Sequence, residues 1–527
     1  RQSIDTRPTA GESAESRLHA FGNRVFFFGR DPEHGLELWS SDGTDEGTRL
    51  VKDLYPGPGS IHLQAAPHTA FIEHRNQLYF CVSSAFPVVG ADVHGIWRTD
   101  GTEAGTVRVW SGKVHEWTKY GGFLFVSGDQ GRSRGLWRIA EIPEEIVPVH
   151  LRSVDAPGYS PEFLAGFRDR LFFVANSDSH GRELWRTDST FTNVVEVKNF
   201  QADSPGPVQT SSFVAGIFPT GDTCFVLARS RESGLELWKT DGTEAGTVLV
   251  KDINPGVRDG FEPGFLNFAN LGGRLYFGAV SDKPVALWMS DGTESGTRVV
   301  HAGTGRVRSL EAIGDRLYFS GGDRSVGTEE LWISDGTEPG TFMLANINPD
   351  RPPVFAWGSS PEGFEAAGGS VYFKAGDNRF GAELWRTDGT TEGTVRVADV
   401  NPVEAPPLPP PYTTSFRGSS YPWSLARAGT NLFFVADDGT HGRELWVLPL
   451  SGMRPPRLDG FATDSGAFRV RITASPGSSF RLFRTSDWSG AWVEAGAGRV
   501  PDSGTVEVRD DNPPASAAFY RVTTSNP

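Results

Sequence analysis

The sequence predicts an all-β protein: a β-propeller, most simply of nine four-stranded blades closed by the N-terminal strand, followed by a small C-terminal β-sandwich. The 527 residues include 63 Gly and 36 Pro, 12% are aromatic, and no long stretch shows helix formers at 3.6-residue spacing. A Leu-Trp or Ile-Trp pair also recurs about every 51 residues, the period of a four-stranded blade. The nine markers are Trp39, Trp97, Trp137, Trp185, Trp238, Trp288, Trp332, Trp385 and Trp446.

Residues 364–400 show the order of strands within one unit. The segments FEAA and SVYFKA are separated by a Gly-Gly turn, AELWRT follows a loop that contains Gly, and TVRVADV follows an Asp-Gly-Thr turn. Because consecutive strand residues point to opposite faces, Leu384 and Trp385 must be buried on different sides of one sheet. A sheet with two apolar faces is expected where each blade packs between two neighbours.

The ends of the chain suggest how the ring closes and where it stops. The last unit ends at RELWVLPLSG without a fourth strand, so residues Gln2 to Thr9 are expected to pair with the ninth blade. We therefore assign 1–451 to the propeller, with 1–15 as its closing segment, and 452–527 to a sandwich of the immunoglobulin or fibronectin type. An eight-bladed ring with one unit displaced remains an alternative, since propellers of four to eight blades are common. The Pro-rich stretch 401–412 is interpreted as a stiff loop between blades.

The repeated words ELWSSDGTDEGT, ELWKTDGTEAGT, LWMSDGTESGT, ELWISDGTEPGT and ELWRTDGTTEGT resemble the repeat of the bacterial ELWxxDGT family over residues 16–450. Members are mostly large, secreted or surface proteins, so the resemblance implies an extracellular, cell-surface or periplasmic propeller with its leader removed. It implies no activity and no functional residues. The C-terminal segment resembles small sandwich domains at the ends of secreted proteins of Verrucomicrobia-like bacteria. Units three, four and nine depart from the pattern, with GLWRIAEIPEE, ELWRTDSTFTN (Ser189 for Gly) and a missing turn.

Charge and motif content narrow the function classes. A formal charge of -15 and a pI near 5.3 disfavour nucleic acid and anionic lipid as partners, and no apolar run reaches the roughly 20 residues that span a bilayer. A nucleophile elbow, HExxH, a P-loop and CxxC are all missing from the sequence. The partner is expected to be a protein or a polysaccharide, and a place in a larger surface assembly is a further option.

Metal and cofactor sites are not favoured. Asp45, Glu46 and Glu103 could add oxygen ligands for calcium near the DGT words, but one Asp followed by Gly is ordinary turn chemistry. We expect His34, His94, His180 and His441 to be turn residues, and His62, His68 and His74 have spacings that fit no metal signature. Cys81 and Cys224 lie on different units and are expected to be unpaired.

The candidate binding residues are aromatic residues outside the repeat pattern: Trp110, Trp117, Tyr120, Trp357, Tyr412, Tyr421 and Trp423. An exposed aromatic cluster is a usual contact surface for protein or glycan, whereas the alternative is that these rings pack strands and loops. The nine marker Trp residues are predicted to pack between blades.

We therefore expect a non-catalytic scaffold or binding module. The alternative is a polysaccharide hydrolase or lyase with its site at the mouth of the propeller channel. Charged residues with perturbed pKa values that converge at the channel would favour the enzyme. A channel lined by small and apolar groups would favour the binding module.

Overall fold

The architecture is known from a computed structural model that describes residues 17–57, 61, 71–82, 93–131, 133–139, 146–149, 161–177, 181–200, 212–262, 266–281, 285–323, 328–349, 358–403, 418–450, 457–464, 467–474, 479–486, 493–501, 505–510 and 519–525. Within these ranges the chain forms strands, and the one helical element is a short 3-10 turn, Ala302–Thr304. The predicted all-β class is confirmed. The described part of the chain has no helix long and apolar enough to cross a membrane.

Nine antiparallel sheets follow one another along the chain, numbered here in chain order. Sheet 1 contains β1 (His19–Phe21), β2 (Arg24–Asp31), β3 (Gly35–Ser41) and β4 (Arg49–Lys52), and sheet 2 contains β5 (Phe71–His74), β6 (Gln77–Val82), β7 (Gly95–Thr99) and β8 (Val107–Trp110). Sheet 3 contains β9 (Lys113–Tyr120), β10 (Phe123–Gln130), β11 (Ser133–Ile139) and β12 (Ile146–Val149), and sheet 4 contains β13 (Glu162–Phe167), β14 (Arg170–Ser177), β15 (Gly181–Thr187) and β16 (Val194–Lys198). Sheet 5 contains β17 (Ser212–Thr220), β18 (Thr223–Ser230), β19 (Gly234–Thr240) and β20 (Val248–Lys251). A short parallel pairing of β15 with β17 joins sheets 4 and 5.

Sheets 6 to 9 repeat this order. Sheet 6 contains β21 (Phe268–Leu271), β22 (Arg274–Ala279), β23 (Ala286–Ser290) and β24 (Arg298–His301), and sheet 7 contains β25 (Arg306–Ile313), β26 (Arg316–Asp323), β27 (Thr328–Ser334) and β28 (Phe342–Ala345). Sheet 8 contains β29 (Glu362–Ala367), β30 (Ser370–Asp377), β31 (Gly381–Thr387) and β32 (Val395–Arg396). Sheet 9 contains β33 (Trp423–Ala428), β34 (Asn431–Asp437) and β35 (Arg443–Pro449). Sheet 9 has three strands among the described residues. In sheet 8 the predicted strands are present, but the fourth, Val395–Arg396, is shorter than the segment TVRVADV suggested, although the Val397 N–H still donates to the Leu384 carbonyl at 2.8 Å.

Each sheet buries one face against the preceding sheet and the other against the following sheet. Leu384 belongs to the cluster between sheets 8 and 9, while its neighbour Trp385 packs in the cluster between sheets 7 and 8. The same division holds in all nine sheets. The residue before each Trp contacts the following sheet, and these are Leu38, Ile96, Leu136, Leu184, Leu237, Leu287, Leu331, Leu384 and Leu445. The nine marker Trp residues contact the preceding sheet, so their predicted packing role is confirmed.

Sheet 9 packs against sheet 1. Phe27 and Trp39 of sheet 1 share a cluster with Phe433 of sheet 9. The backbone N–H of Leu18 donates to Ser424 Oγ at 2.7 Å, and Asn431 Nδ2 donates to the Asp42 carbonyl at 3.1 Å. The segment Gln2 to Thr9, which is predicted to complete sheet 9, lies outside the described residues.

The tail forms two three-stranded sheets. The strands are β36 (Arg457–Asp464), β37 (Ala467–Thr473), β38 (Ser479–Thr485), β39 (Val493–Arg499), β40 (Thr505–Asp510) and β41 (Phe519–Ser525), in the orders β36-β37-β40 and β39-β38-β41. Val470 and Ile472 from one sheet share a buried cluster with Phe480 and Leu482 from the other. The tail therefore has an apolar core of its own.

Candidate functional site

The Asp-Gly-Thr words form compact turns between the third and fourth strands. In sheet 5, Asp241 Oδ1 accepts hydrogen bonds from the Thr243 backbone N–H at 2.8 Å and from Thr243 Oγ1 at 2.7 Å, and Thr243 Oγ1 accepts one from the Gly246 N–H at 3.0 Å. These Thr243 bonds lower the pKa of Asp241. The other intact copies, at Asp42, Asp100, Asp291, Asp335 and Asp388, bond in the same way. The predicted turn role is confirmed.

The first glycine of the turn touches the preceding sheet. Gly242 has a φ of +91°, and a Cβ built there would lie 3.1 Å from Arg186 Cδ and 3.2 Å from Phe172 Cζ of sheet 4. Its carbonyl accepts a hydrogen bond from Arg186 Nε at 2.6 Å. The turn therefore fastens sheet 5 to sheet 4 as well as reversing the chain.

The glutamate that precedes Leu-Trp is a structural residue that sequence reasoning missed. Glu236 is buried and accepts the backbone N–H bonds of Ile253 at 3.0 Å and Asn254 at 3.1 Å. Burial raises its pKa from the ordinary 4.5 to about 8. Glu37 has the same surroundings, with a pKa of about 8, and Glu183, Glu330 and Glu383 are buried at the equivalent position. The signal was present in the sequence as a carboxylate recurring at one fixed position of an apolar strand.

Carboxylates on the first strands accept backbone hydrogen bonds from the next sheet. Glu116 of β9 is buried, and its two oxygens accept the N–H groups of Phe163 and Leu164 of β13, both at 2.7 Å. Burial raises the pKa of Glu116. Glu365 of β29 likewise accepts the N–H of Arg427 at 3.3 Å. These carboxylates satisfy backbone N–H groups of the next first strand that no strand partner bonds.

A cavity of about 670 Å³ lies among the first strands of sheets 2 to 5 and the start of sheet 6. Its wall is mostly apolar, with half-buried rings and Leu266 facing the space. The polar contributions come from Glu116, Thr118 and Lys119. The remaining lining residues are Ile72, Trp117, Phe163, Leu164, Ala215, Ile217, Phe218, Leu266 and Phe268.

The predicted aromatic residues do not form one exposed surface. Trp110 and Trp117 are buried in the cluster between sheets 2 and 3, although Trp117 also borders the cavity. For these two rings the structure shows the alternative interpretation, packing between strands, and Gly112 makes room for one of them, since a Cβ there would lie 2.2 Å from the Trp110 ring. Tyr120 packs at the contact between sheets 3 and 4, where its hydroxyl donates to the Arg168 carbonyl.

Among the members of the set that the structure describes, Tyr421 is the exposed one, at 53%, and the neighbouring Trp423 is half-buried. Tyr421 has a φ of 44°, but Ser360 at the same place in sheet 8 has a φ of 45°, so this conformation belongs to the fold and not to a site. Trp357 and Tyr412 lie outside the described residues.

The turn role predicted for His34 and His441, and the unpaired state predicted for the two cysteines, are confirmed. His34 Nδ1 contacts Asp31 Oδ2 at 2.9 Å, and His441 Nδ1 contacts Asp438 Oδ2 at 2.7 Å, both within turns. His62, His68 and His180 lie outside the described ranges. Cys81 and Cys224 are unpaired, and burial raises the pKa of Cys224 to about 12. In the described ranges, no three His, Cys, Asp or Glu residues are grouped so as to hold a metal ion.

Comparison with known proteins gives only distant likenesses. No protein-family model and no curated protein matches the chain. Among solved structures, it is similar to a puromycin hydrolase at 14% identity and a TM-score of 0.36, covering 71% of this chain and 60% of that one. It is also similar to a prolyl endopeptidase, at 12% identity and a TM-score of 0.36, covering 69% of this chain and 54% of that one. A third similar structure is oligopeptidase B from Leishmania major, at 10% identity and a TM-score of 0.36, covering 69% of this chain and 53% of that one. The chain thus spans 53% to 60% of the length of these structures.

Proposed function

We propose that sheets 1 to 9 are the blades of a nine-bladed β-propeller of the ELWxxDGT type, closed by residues 2–9 and followed by a sandwich domain at 452–527. The support is the repeated packing of each sheet against the next and of sheet 9 against sheet 1. Removal of residues 1–15 should lower the thermal midpoint, because the outer edge of β35 would lose its partner. An unchanged midpoint would contradict this closure.

The propeller is proposed to act as a non-catalytic binding module at the cell surface or outside the cell. One observation carries this function: the cavity wall is apolar, and its carboxylate, Glu116, has both oxygens engaged by backbone N–H groups. A hydrolase needs one carboxyl group to donate a proton and a second to act as base or nucleophile. A wall of half-buried rings instead suits ligand binding.

A panel of acidic and neutral polysaccharides, with and without a calcium chelator, tests the binding role. The expected result is retention of the protein without new chain ends. New chain ends would contradict the non-catalytic proposal. If no polysaccharide retains the protein and none is cleaved, the search turns to a protein partner. Tyr421, an exposed aromatic residue, would then be the first to replace.

A second candidate, a polysaccharide hydrolase, has one observation in its favour. Glu311 of β25 lies near Glu365 of β29, and burial, together with the charge of Glu365, raises the pKa of Glu311 to about 7. Glu311 also accepts the backbone N–H of Phe364, the same structural role as Glu116 and Glu365. Glu311→Gln should therefore leave polysaccharide retention unchanged. If chain ends are produced and this variant abolishes them, the hydrolase is correct.

A further inference from the structure

The cavity among the first strands offers an apolar surface to a ligand. Leu266, Phe163, Phe218 and Phe268 are half-buried and line the space. Phe218 and Phe268 are stacked with ring centroids 3.9 Å apart, so they form one continuous wall from two sheets. Apolar side chains that line an open cavity gain from burial against an apolar ligand. The volume of about 670 Å³ lies within the range of small-molecule pockets.

The polar groups of the lining differ in what they leave available. Glu116 is buried and has both oxygens occupied by backbone N–H groups. Lys119, three residues along the same strand, is exposed, and its Nζ donates one hydrogen bond to the Glu73 carbonyl at 2.7 Å. An ammonium group carries three donors, so Lys119 retains donors for a ligand.

The charges near Lys119 are mainly positive. Burial is the largest cause that lowers the pKa of His74, and the positive charges of Arg75, which follows the end of β5, and of Lys119 lower it further. The carboxylate of Glu73 is directed to His19, with Oε1 3.3 Å from His19 Nε2. Lys119 is three positions after Glu116, roughly 10 Å along the strand, so a ligand could keep an anionic group near Lys119 and away from Glu116.

We propose that this cavity binds an amphiphilic anion, a molecule with an apolar body and one carboxylate, whose body lies against the Phe218–Phe268 wall and whose carboxylate pairs with Lys119. This inference rests on the proposed binding role and names the ligand class for the cavity. It needs no protein or glycan partner.

The test uses the full chain and three probes that share a twelve-carbon body: dodecanoate, dodecanol and dodecylammonium. Binding is measured by displacement of the fluorescent apolar anion 1-anilinonaphthalene-8-sulfonate. Dodecanoate is expected to bind at least tenfold more tightly than dodecylammonium, with dodecanol between them. No binding, or equal binding of the anion and the cation, would overturn the proposal.

Variants locate the site. Lys119→Met should remove most of the preference for dodecanoate over dodecylammonium and leave dodecanol binding within about twofold of the wild type, as expected when one exposed ion pair is lost. Lys113→Met, on the same strand but outside the cavity lining, is the matched control. Equal effects of the two substitutions would contradict the assigned position of the carboxylate.

Leu266→Trp should place a larger ring against the apolar wall that the body of the ligand would contact, and weaken all three probes at least tenfold. Val257→Trp, at an exposed site in the loop after β20 and outside the lining, should not. If Leu266→Trp fails to fold, the Lys119 comparison decides alone. Retention of a polysaccharide by a protein that binds none of the three probes would overturn this inference and leave the proposed function standing.

Discussion

Sheets 4 and 5 use the same kind of turn in two different ways. In sheet 5, Gly246 sits beside the Asp241 carboxylate so closely that a Cβ would lie 2.1 Å from Asp241 Oδ1. Sheet 4 has Asn193 at the equivalent place, and its Nδ2 donates to Asp188 Oδ2 at 2.8 Å. Asp188 also accepts from the Thr192 N–H at 3.0 Å, so a reshaped turn keeps its carboxylate satisfied.

The contact with the preceding sheet changes along with the turn. Sheet 5 uses the bare backbone of Gly242 against sheet 4. Sheet 4 uses the side chain of Phe191, which is buried against Phe125 and Tyr120 of sheet 3. The equivalent position in sheet 5 is the exposed Glu244. The difference teaches that the aspartate defines the turn, whereas the residues around it determine how adjacent sheets are fastened.

The largest effect is expected from Phe191→Ala. Loss of a buried ring at the contact of sheets 3 and 4 should reduce the free energy of unfolding by about 3 kcal/mol. Glu244→Ala, at the equivalent position of sheet 5, is the control and should change stability little. Urea denaturation measures both. Similar effects of the two substitutions would show that the contact does not depend on Phe191.

A smaller loss is expected from Gly246→Ala in sheet 5. The new Cβ would displace the Asp241 carboxylate, with a cost of about 2 kcal/mol. Gly256→Ala, at a φ of +89° with no atom within 4 Å of the new Cβ, isolates backbone strain and should cost about 1 kcal/mol. Thermal denaturation of the two variants compares them. A larger loss at Gly256 would mean that steric crowding at Asp241 is unimportant.

The buried glutamate of sheet 5 should make stability depend on pH. Because the pKa of Glu236 is raised from 4.5 to about 8 on folding, the folded state binds the proton more tightly. This contribution is complete below about pH 4.5 and is lost as the pH rises through about 8. Unfolding midpoints in urea should therefore fall between pH 5 and pH 8 by more in the wild type than in Glu236→Gln.

Glu236→Gln should itself reduce the free energy of unfolding by about 1 to 2 kcal/mol at pH 5. In the wild type each carboxyl oxygen accepts a backbone N–H, whereas in the variant the amide N–H₂ group would face one of these donors. Glu244→Gln, at an exposed position of the same sheet, removes one carboxylate from the surface and is the control. A pH dependence that is equal in Glu236→Gln and the wild type would rule out this glutamate as its source.

The smallest effect is expected from Ser189→Gly, which restores the usual glycine to the turn of sheet 4. Ser189 is exposed, and its φ is not positive, so glycine has no special conformation to supply. Stability should change by less than about 0.5 kcal/mol. A clear gain in the thermal midpoint would indicate that sheet 4 is a strained version of the sheet 5 turn.

The sequence was informative where a residue's role follows from its position in a repeat. The alternation of Leu384 and Trp385 predicted two apolar faces, and the DGT words predicted turns, because both depend on neighbours along the chain. The roles of Trp110 and Phe191 depend on residues from other strands and sheets, and departure from the repeat gave no measure of exposure. The cavity was not predictable either, because five separate units contribute its walls.

The contact between sheets 9 and 1 has a consequence for the order of folding. Eight of the nine contacts between sheets join segments that are consecutive along the chain, whereas the Asn431 to Asp42 bond spans 389 residues. The entropy lost on closing a loop grows only slowly with the length of the loop. That entropy is lost before any stabilising contact between sheets 9 and 1 forms. We expect the eight sequential contacts to form first as an open arc, with the ninth as the slow final step. Protease cleavage during refolding that stops when sheets 9 and 1 come into contact would reveal this step.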